Sequence, residues 1–116
     1  ERTTTITTTT TSRVVELEVM QGSGGLGGRT GVSVWRSSLA LLALLEAQPE
    51  LVRNATVVEL GAGTGLISIA AQQLGARRVL ATDGNEEVLQ LLQLNVDRQQ
   101  SNNDDDSRKV EVRALR

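Results

Sequence analysis

The run Glu59-Leu60-Gly61-Ala62-Gly63-Thr64-Gly65 and, about twenty residues on, Asp83 have the types and spacing to bind a nucleotide-like ligand. Glycines on alternate positions let a main chain approach a ligand closely, and the helix that such a loop opens presents unpaired N–H groups to it. A carboxylate at Asp83 can accept two hydrogen bonds from ribose hydroxyls. A dinucleotide loop needs Gly-x-Gly-x-x-Gly, whose third glycine admits close helix packing. Here Leu66 holds that place and Gly65 falls one residue early. Glu59, just before the loop, suits a ligand with a cationic amino-acid end and no pyrophosphate. The plain alternative is a glycine turn with no ligand, against which Asp83 at the end of the next strand weighs.

The elements around these residues follow from hydrophobic periodicity. Thr56 to Leu60 is a short β-branched apolar run, a strand leading into the glycines, and a helix from about Leu66 to Leu74 follows and stops at Gly75. Arg78 to Thr82 is a second strand, ending at Asp83. Asn85 caps a further helix whose first turn carries Glu86 and Glu87, charges suited to a helix N-terminus, and whose inward residues are Val88, Leu91 and Leu92. Gln99 to Ser107, with Asp104, Asp105 and Asp106 in a row, is predicted to be a solvated loop. Lys109 to Arg116 alternates through Val110, Val112 and Ala114 as a third strand. The order βαβαβ predicts an α/β fold, a parallel sheet with helices on its faces.

Upstream, the Thr-rich tract Thr3 to Thr11 favours extended backbone, a strand edge or a loose arm. Arg13 to Met20 alternates Val15, Leu17 and Val19 with Glu16 and Glu18, as a half-buried strand does. Gly22 to Gly31 reads as a connector, since no Gly-Lys-Ser/Thr follows it as a phosphate-binding loop needs. Ser33 to Gln48 is predicted helical, with Trp35, Leu39, Leu42 and Leu45 on one face and Pro49 closing it.

Composition narrows the chemistry. The chain has 116 residues, about one small domain, and Trp35 is its one aromatic, so the core is aliphatic. With no Cys and no His it cannot form a thiolate metal site, a disulfide framework or a Ser-His-Asp triad, which leaves an organic cofactor as the source of any chemistry. Net charge is −2 with the basic residues dispersed, so no nucleic-acid partner is expected. Leu39 to Leu45 is too short an apolar run to cross a bilayer, and no membrane partner is expected. A cytoplasmic or nuclear protein fits best. The opening residue Glu1 leads to the expectation that an upstream part is missing.

The glycine run resembles motif I of class I S-adenosylmethionine-dependent methyltransferases, acidic-x-Gly-x-Gly-x-Gly. A wider pattern runs from Thr30-Gly31-Val32-Ser33-Val34-Trp35 with Ser37-Ser38, through Val57-Val58 and the motif to Leu66, then Leu74-Gly75-Ala76, Thr82-Asp83, and Leu92 to Asn95-Val96. It is similar to the family 16 protein-lysine methyltransferases. Thr82-Asp83-Gly84-Asn85-Glu86 is similar to the calmodulin-lysine methyltransferases, and Gly31 to Trp35 with Pro49 to the elongation-factor-2 lysine methyltransferases.

The resemblance implies a Rossmann-like class I methyltransferase fold, truncated after the third strand and preceded by an N-terminal strand and helix extension. It implies S-adenosyl-L-methionine as cofactor and a protein lysine as methyl acceptor. Residues 1–31 would be the N-terminal β segment and connector, and 32–116 the first half of the cofactor-binding domain. Cofactor-binding residues would be Trp35, Glu59, Gly61, Ala62, Gly63, Gly65 and Asp83, with Trp35 lining the site, Gly61 to Gly63 beneath the methionine portion and Asp83 on the ribose. Trp35 as the core anchor of its helix is the alternative at that position. In the family the third strand continues to a Trp-Gly pair near the adenine, beyond where this chain ends, so no catalytic residue is assigned. An NAD-dependent oxidoreductase, a non-catalytic cofactor-binding module, and a methyltransferase acting on small molecules or nucleic acid stay open as other readings.

Overall fold

A computed structural model describes residues 2–10, 13–21, 36–100 and 109–115. Strands β1 (Arg2–Thr10) and β2 (Arg13–Gln21) pair antiparallel along their whole length, Arg2 opposite Gln21 and Thr10 opposite Arg13. Helix α1 (Arg36–Ala47) follows, then a 3₁₀ turn at Pro49–Leu51, where proline's fixed φ suits the first turn. The expected connector Gly22 to Gly31, the start of the first predicted helix with Trp35, and most of the predicted acidic loop lie outside the described residues.

The remainder is βαβαβ. Strand β3 (Thr56–Leu60), helix α2 (Leu66–Gln73), strand β4 (Arg78–Asp83), helix α3 (Glu86–Gln100) and strand β5 (Val110–Ala114) form a parallel sheet in the order β3-β4-β5. Val57 lies opposite Val79, and Val79 opposite Val110. These bounds match the sequence expectation closely except at two places. Helix α3 runs to Gln100, so Gln99, expected in the loop, is helical, and the side chain of Gln73 on α2 donates to Gln99 Oε1 at 3.3 Å. Leu39, expected on one helix face with Leu42 and Leu45, is 44% exposed, while those two are buried.

Strand periodicity sorts the sheet into two unlike faces. Val57, Val79, Ala81, Val110 and Val112 point to one face and pack with Leu66, Ile69, Ala70, Leu92 and Val96 of α2 and α3 into one aliphatic core. The other face carries Val58, Leu60 and Leu80, then the ion pair of Arg78 with Glu111 at 3.1 Å. Val58 is 57% and Leu60 70% exposed. The expected parallel sheet with packed helices is present, and among the described residues α2 and α3 pack on one of its faces. Two successive right-handed crossovers that advance in one direction, β3 to β4 to β5, put both helices on the same side.

Candidate cofactor-binding site

Every residue of the candidate loop sits where β3 gives way to α2. Ala62 N–H donates to Thr82 O at 2.7 Å, carrying the sheet ladder two residues beyond the strand, and Gly65 N–H donates back to Ala62 O at 2.9 Å to close the turn. Gly65 is the N-cap of α2, with φ of 90°, and its carbonyl accepts from Ile69 N–H. A side chain at Gly65 is disfavoured twice over. The left-handed φ disfavours it, and an added Cβ would lie 2.6 Å from Leu92 Cδ1. Gly61 also has a positive φ, 69°, yet no atom of the described residues stands within 4 Å of an added Cβ, so among them the outer side of the loop there is open.

Asp83 ends β4 beside that open side. Its Oδ2 accepts from Gly63 N–H at 3.2 Å and its Oδ1 from Asn85 N–H at 3.1 Å. An ionised carboxylate offers about four lone-pair positions. Two are thus engaged, and each oxygen keeps capacity for a ligand hydroxyl. Asn85 in turn caps α3, its Oδ1 accepting from Glu87 N–H at 2.9 Å and Val88 N–H at 3.2 Å, which fixes the turn after Asp83. Leu115 N–H donates to Asp83 O at 3.0 Å and ties the same turn to the end of β5.

Glu59 is oriented differently. Its carboxylate accepts from Ser68 Oγ of α2 at 2.6 Å, on the core side of the sheet beneath the glycine loop. Burial pushes its pKa above the ordinary 4.5, the hydrogen bonds from Ser68 pull it down, and the nearby negative charge of Asp83 adds to the rise. The sequence named Glu59 without its partner. Ser68 is fully buried in an otherwise apolar stretch of α2, and that placement is the signal that a polar partner lies opposite.

The structure brings Glu59, Gly61, Ala62, Gly63, Gly65 and Asp83 to one end of the sheet, at the carboxyl ends of β3 and β4. Trp35 lies outside the described residues. Two further residues brace the site. Thr82 Oγ1 donates to Glu59 O at 2.7 Å, and the buried Asn95 of α3 donates through Nδ2 to Thr64 O at 2.7 Å. Asn95 continues the stripe Val88, Leu91, Leu92, Val96, where a polar residue among apolar neighbours calls for a bonded partner.

Comparison with known proteins identifies the family. The profile of a family described as lysine methyltransferase matches residues 12–116. The chain is 39% identical over 100 residues to the protein N-lysine methyltransferase METTL21A of Xenopus tropicalis, covering 85% of this chain and 43% of that protein. It is 40% identical over 70 residues to the protein-lysine N-methyltransferase EFM3 of Chaetomium thermophilum, covering 60% of this chain and 21% of that protein. Among solved structures it resembles a putative RNA methyltransferase from Pyrococcus horikoshii, with a TM-score of 0.51 and 26% identity over 67% of this chain and 35% of that one. The chain thus spans less than half the length of these relatives. With a profile match over residues 12–116, most of its length, the chain belongs to the lysine methyltransferase family.

Proposed function

We propose that the loop Gly61 to Gly65 and Asp83 bind S-adenosyl-L-methionine, and that the protein transfers its methyl group to a lysine ε-amine of another protein. The observation that carries the reading is the fit of the site. Gly61 leaves the ligand side of the loop open, and Asp83 keeps free acceptor capacity on both oxygens for a ribose while its other lone pairs hold Gly63 and Asn85. Bound there, the cofactor supplies an electrophilic sulfonium methyl, a transfer to nitrogen that calls for neither metal nor covalent intermediate.

The residues on hand divide the work of binding. Gly61, Ala62 and Gly63 would pass beneath the methionine portion, Gly65 opens α2 behind them, and Glu59 supports the loop from below while adding negative charge near a cationic amino-acid end. Trp35 is proposed to line the same site. Presenting a neutral lysine amine at pH 7 costs about 4–5 kcal/mol from a free pKa near 10.4, so the acceptor cleft must desolvate it. Residues 32–116 are read as the first half of the cofactor-binding domain and 1–31 as a separate N-terminal β segment, in line with β1 and β2 forming their own two-stranded sheet.

A protein acceptor accords with the printed activity of the METTL21A and EFM3 relatives. Nucleic acid is disfavoured by a net charge of −2. None of the helices among the described residues is long and apolar enough to cross a membrane, and the reading takes the protein to act in the cytoplasm or nucleus. The test is isothermal titration of the chain with S-adenosylhomocysteine and, separately, with NAD. Saturable binding of the first alone supports the reading, and binding of NAD alone overturns it. Transfer of labelled methyl to lysine-containing protein then tests the reaction.

A further inference from the structure

We propose that Asn95 is a positioning residue of the cofactor site, acting through the Thr64 carbonyl to fix the peptide unit on which the glycine loop turns. The inference rests on the cofactor reading above. Asn95 is fully buried on the inner stripe of α3, between Leu92 and Val96. Packing alone would be met by a leucine of nearly the same branched shape, and a buried amide is costly unless it is hydrogen-bonded. Its Nδ2 donates to Thr64 O at 2.7 Å across 31 residues of sequence.

That carbonyl shares one planar peptide with Gly65 N–H, which donates to Ala62 O at 2.9 Å. Both polar ends of the Thr64–Gly65 peptide are therefore held, one by α3 and one by the loop itself. One turn earlier on α3, Leu92 closes against the bare Cα of Gly65. Helix α3 thus presents a steric seat at Leu92 and a polar latch at Asn95, and the peptide between Thr64 and Gly65 has one orientation that satisfies both. The adjoining Gly63 is held from the strand side by Asp83. Asn95 and Asp83 grip the loop from two elements, and only Asp83 is on the side offered to a ligand. Without Asn95 the Thr64 carbonyl loses this partner and its peptide is held from the Gly65 side alone, so the turn that carries Gly61 to Gly63 is less firmly placed against the cofactor.

The experiment compares the chain with Asn95→Leu, which keeps burial and branching but removes the donor, with Asn95→Ala, and with Val96→Ala, a core truncation on the same helix. Calorimetric affinity for S-adenosylhomocysteine, thermal melting and the Gly65 amide ¹⁵N resonance are read for each. The expected result is affinity weakened about tenfold or more in both Asn95 variants, with Gly65 shifted, and affinity within about twofold of the parent for Val96→Ala despite its lower melting temperature. Asn95→Ala answers the same question should the leucine not be accommodated. Binding by the parent chain with unchanged affinity in a folded Asn95 variant overturns the proposal. If the parent itself does not bind, the cofactor reading falls, and the Gly65 resonance still decides the latch: movement in the Asn95 variants but not in Val96→Ala upholds it, and no movement overturns it.

Discussion

The main-chain N–H of Gly63 donates to Oδ2 of Asp83 at 3.2 Å, so the carboxylate that would meet the ribose also holds the glycine loop in place. Binding and loop geometry are joined in one side chain. Asp83→Ala removes both roles, and because hydrogen bonds to a charged group are worth about 1.5–3 kcal/mol, S-adenosylhomocysteine affinity is expected to fall roughly tenfold to hundredfold. Asp83→Asn retains one good acceptor and is expected to lose less. Calorimetric titration of the two variants against the parent checks the order.

Gly65 and Gly61 share a positive φ but differ in surroundings, which separates backbone strain from steric clash. Gly61→Ala is expected to cost about 1–2 kcal/mol from the left-handed conformation alone. Gly65→Ala adds overpacking against Leu92 and is expected to cost about 1–3 kcal/mol more. In urea unfolding, Leu92→Ala should relieve part of the Gly65→Ala penalty and none of the Gly61→Ala penalty.

The raised pKa of Glu59 makes a prediction about acid. A carboxyl whose folded pKa lies above its unfolded value binds protons more tightly when folded, so its contribution to stability is largest below the unfolded pKa and is lost as pH rises through the folded one. Glu59→Gln removes that titration while its amide oxygen can still accept from Ser68. Melting temperatures from pH 4 to pH 7 should show the parent losing stability relative to Glu59→Gln as pH rises. A difference that does not change with pH would contradict the assignment.

Asn85 accepts from the Glu87 and Val88 amides at the start of α3. Asn85→Ala is expected to cost about 1 kcal/mol, and Asn85→Gly only a few tenths. For a domain near this size, 1 kcal/mol corresponds to a drop in melting temperature of roughly 4–8 °C, measurable by circular dichroism.

Much of this arrangement was legible in the residues. Strand β3 and the glycines after it followed from a β-branched run meeting Gly at alternate positions, and Asn85 announced α3 by its chemistry as a cap. What escaped has physical reasons. Helix α1 carries Leu39, Leu41, Leu42, Leu44 and Leu45, apolar residues spread so widely that periodicity could not tell the buried Leu42 and Leu45 from the exposed Leu39. Helix α3 continued through Gln99 and Gln100 because glutamine is a good helix former, and a polar composition does not by itself end a helix. In the site, Glu59 and Asp83 could be named from motif and spacing. Their partners Ser68 and Gly63, and the bracing by Thr82 and Asn95, depend on which faces meet, and that was fixed only by packing.

The exposed aliphatic side chains of Val58 and Leu60 bear on how the purified chain behaves at the bench. Apolar side chains open to solvent in the native state offer a landing place for amphiphilic dyes such as anilinonaphthalene sulfonate. The folded chain should fluoresce with such a dye before any heat is applied, and a dye-based thermal shift assay would begin from a bright baseline. The same surface favours precipitation by sulfate salts, which strengthen apolar association, so low-sulfate buffers and label-free optical melts are the conditions under which its cofactor affinity and stability are best compared.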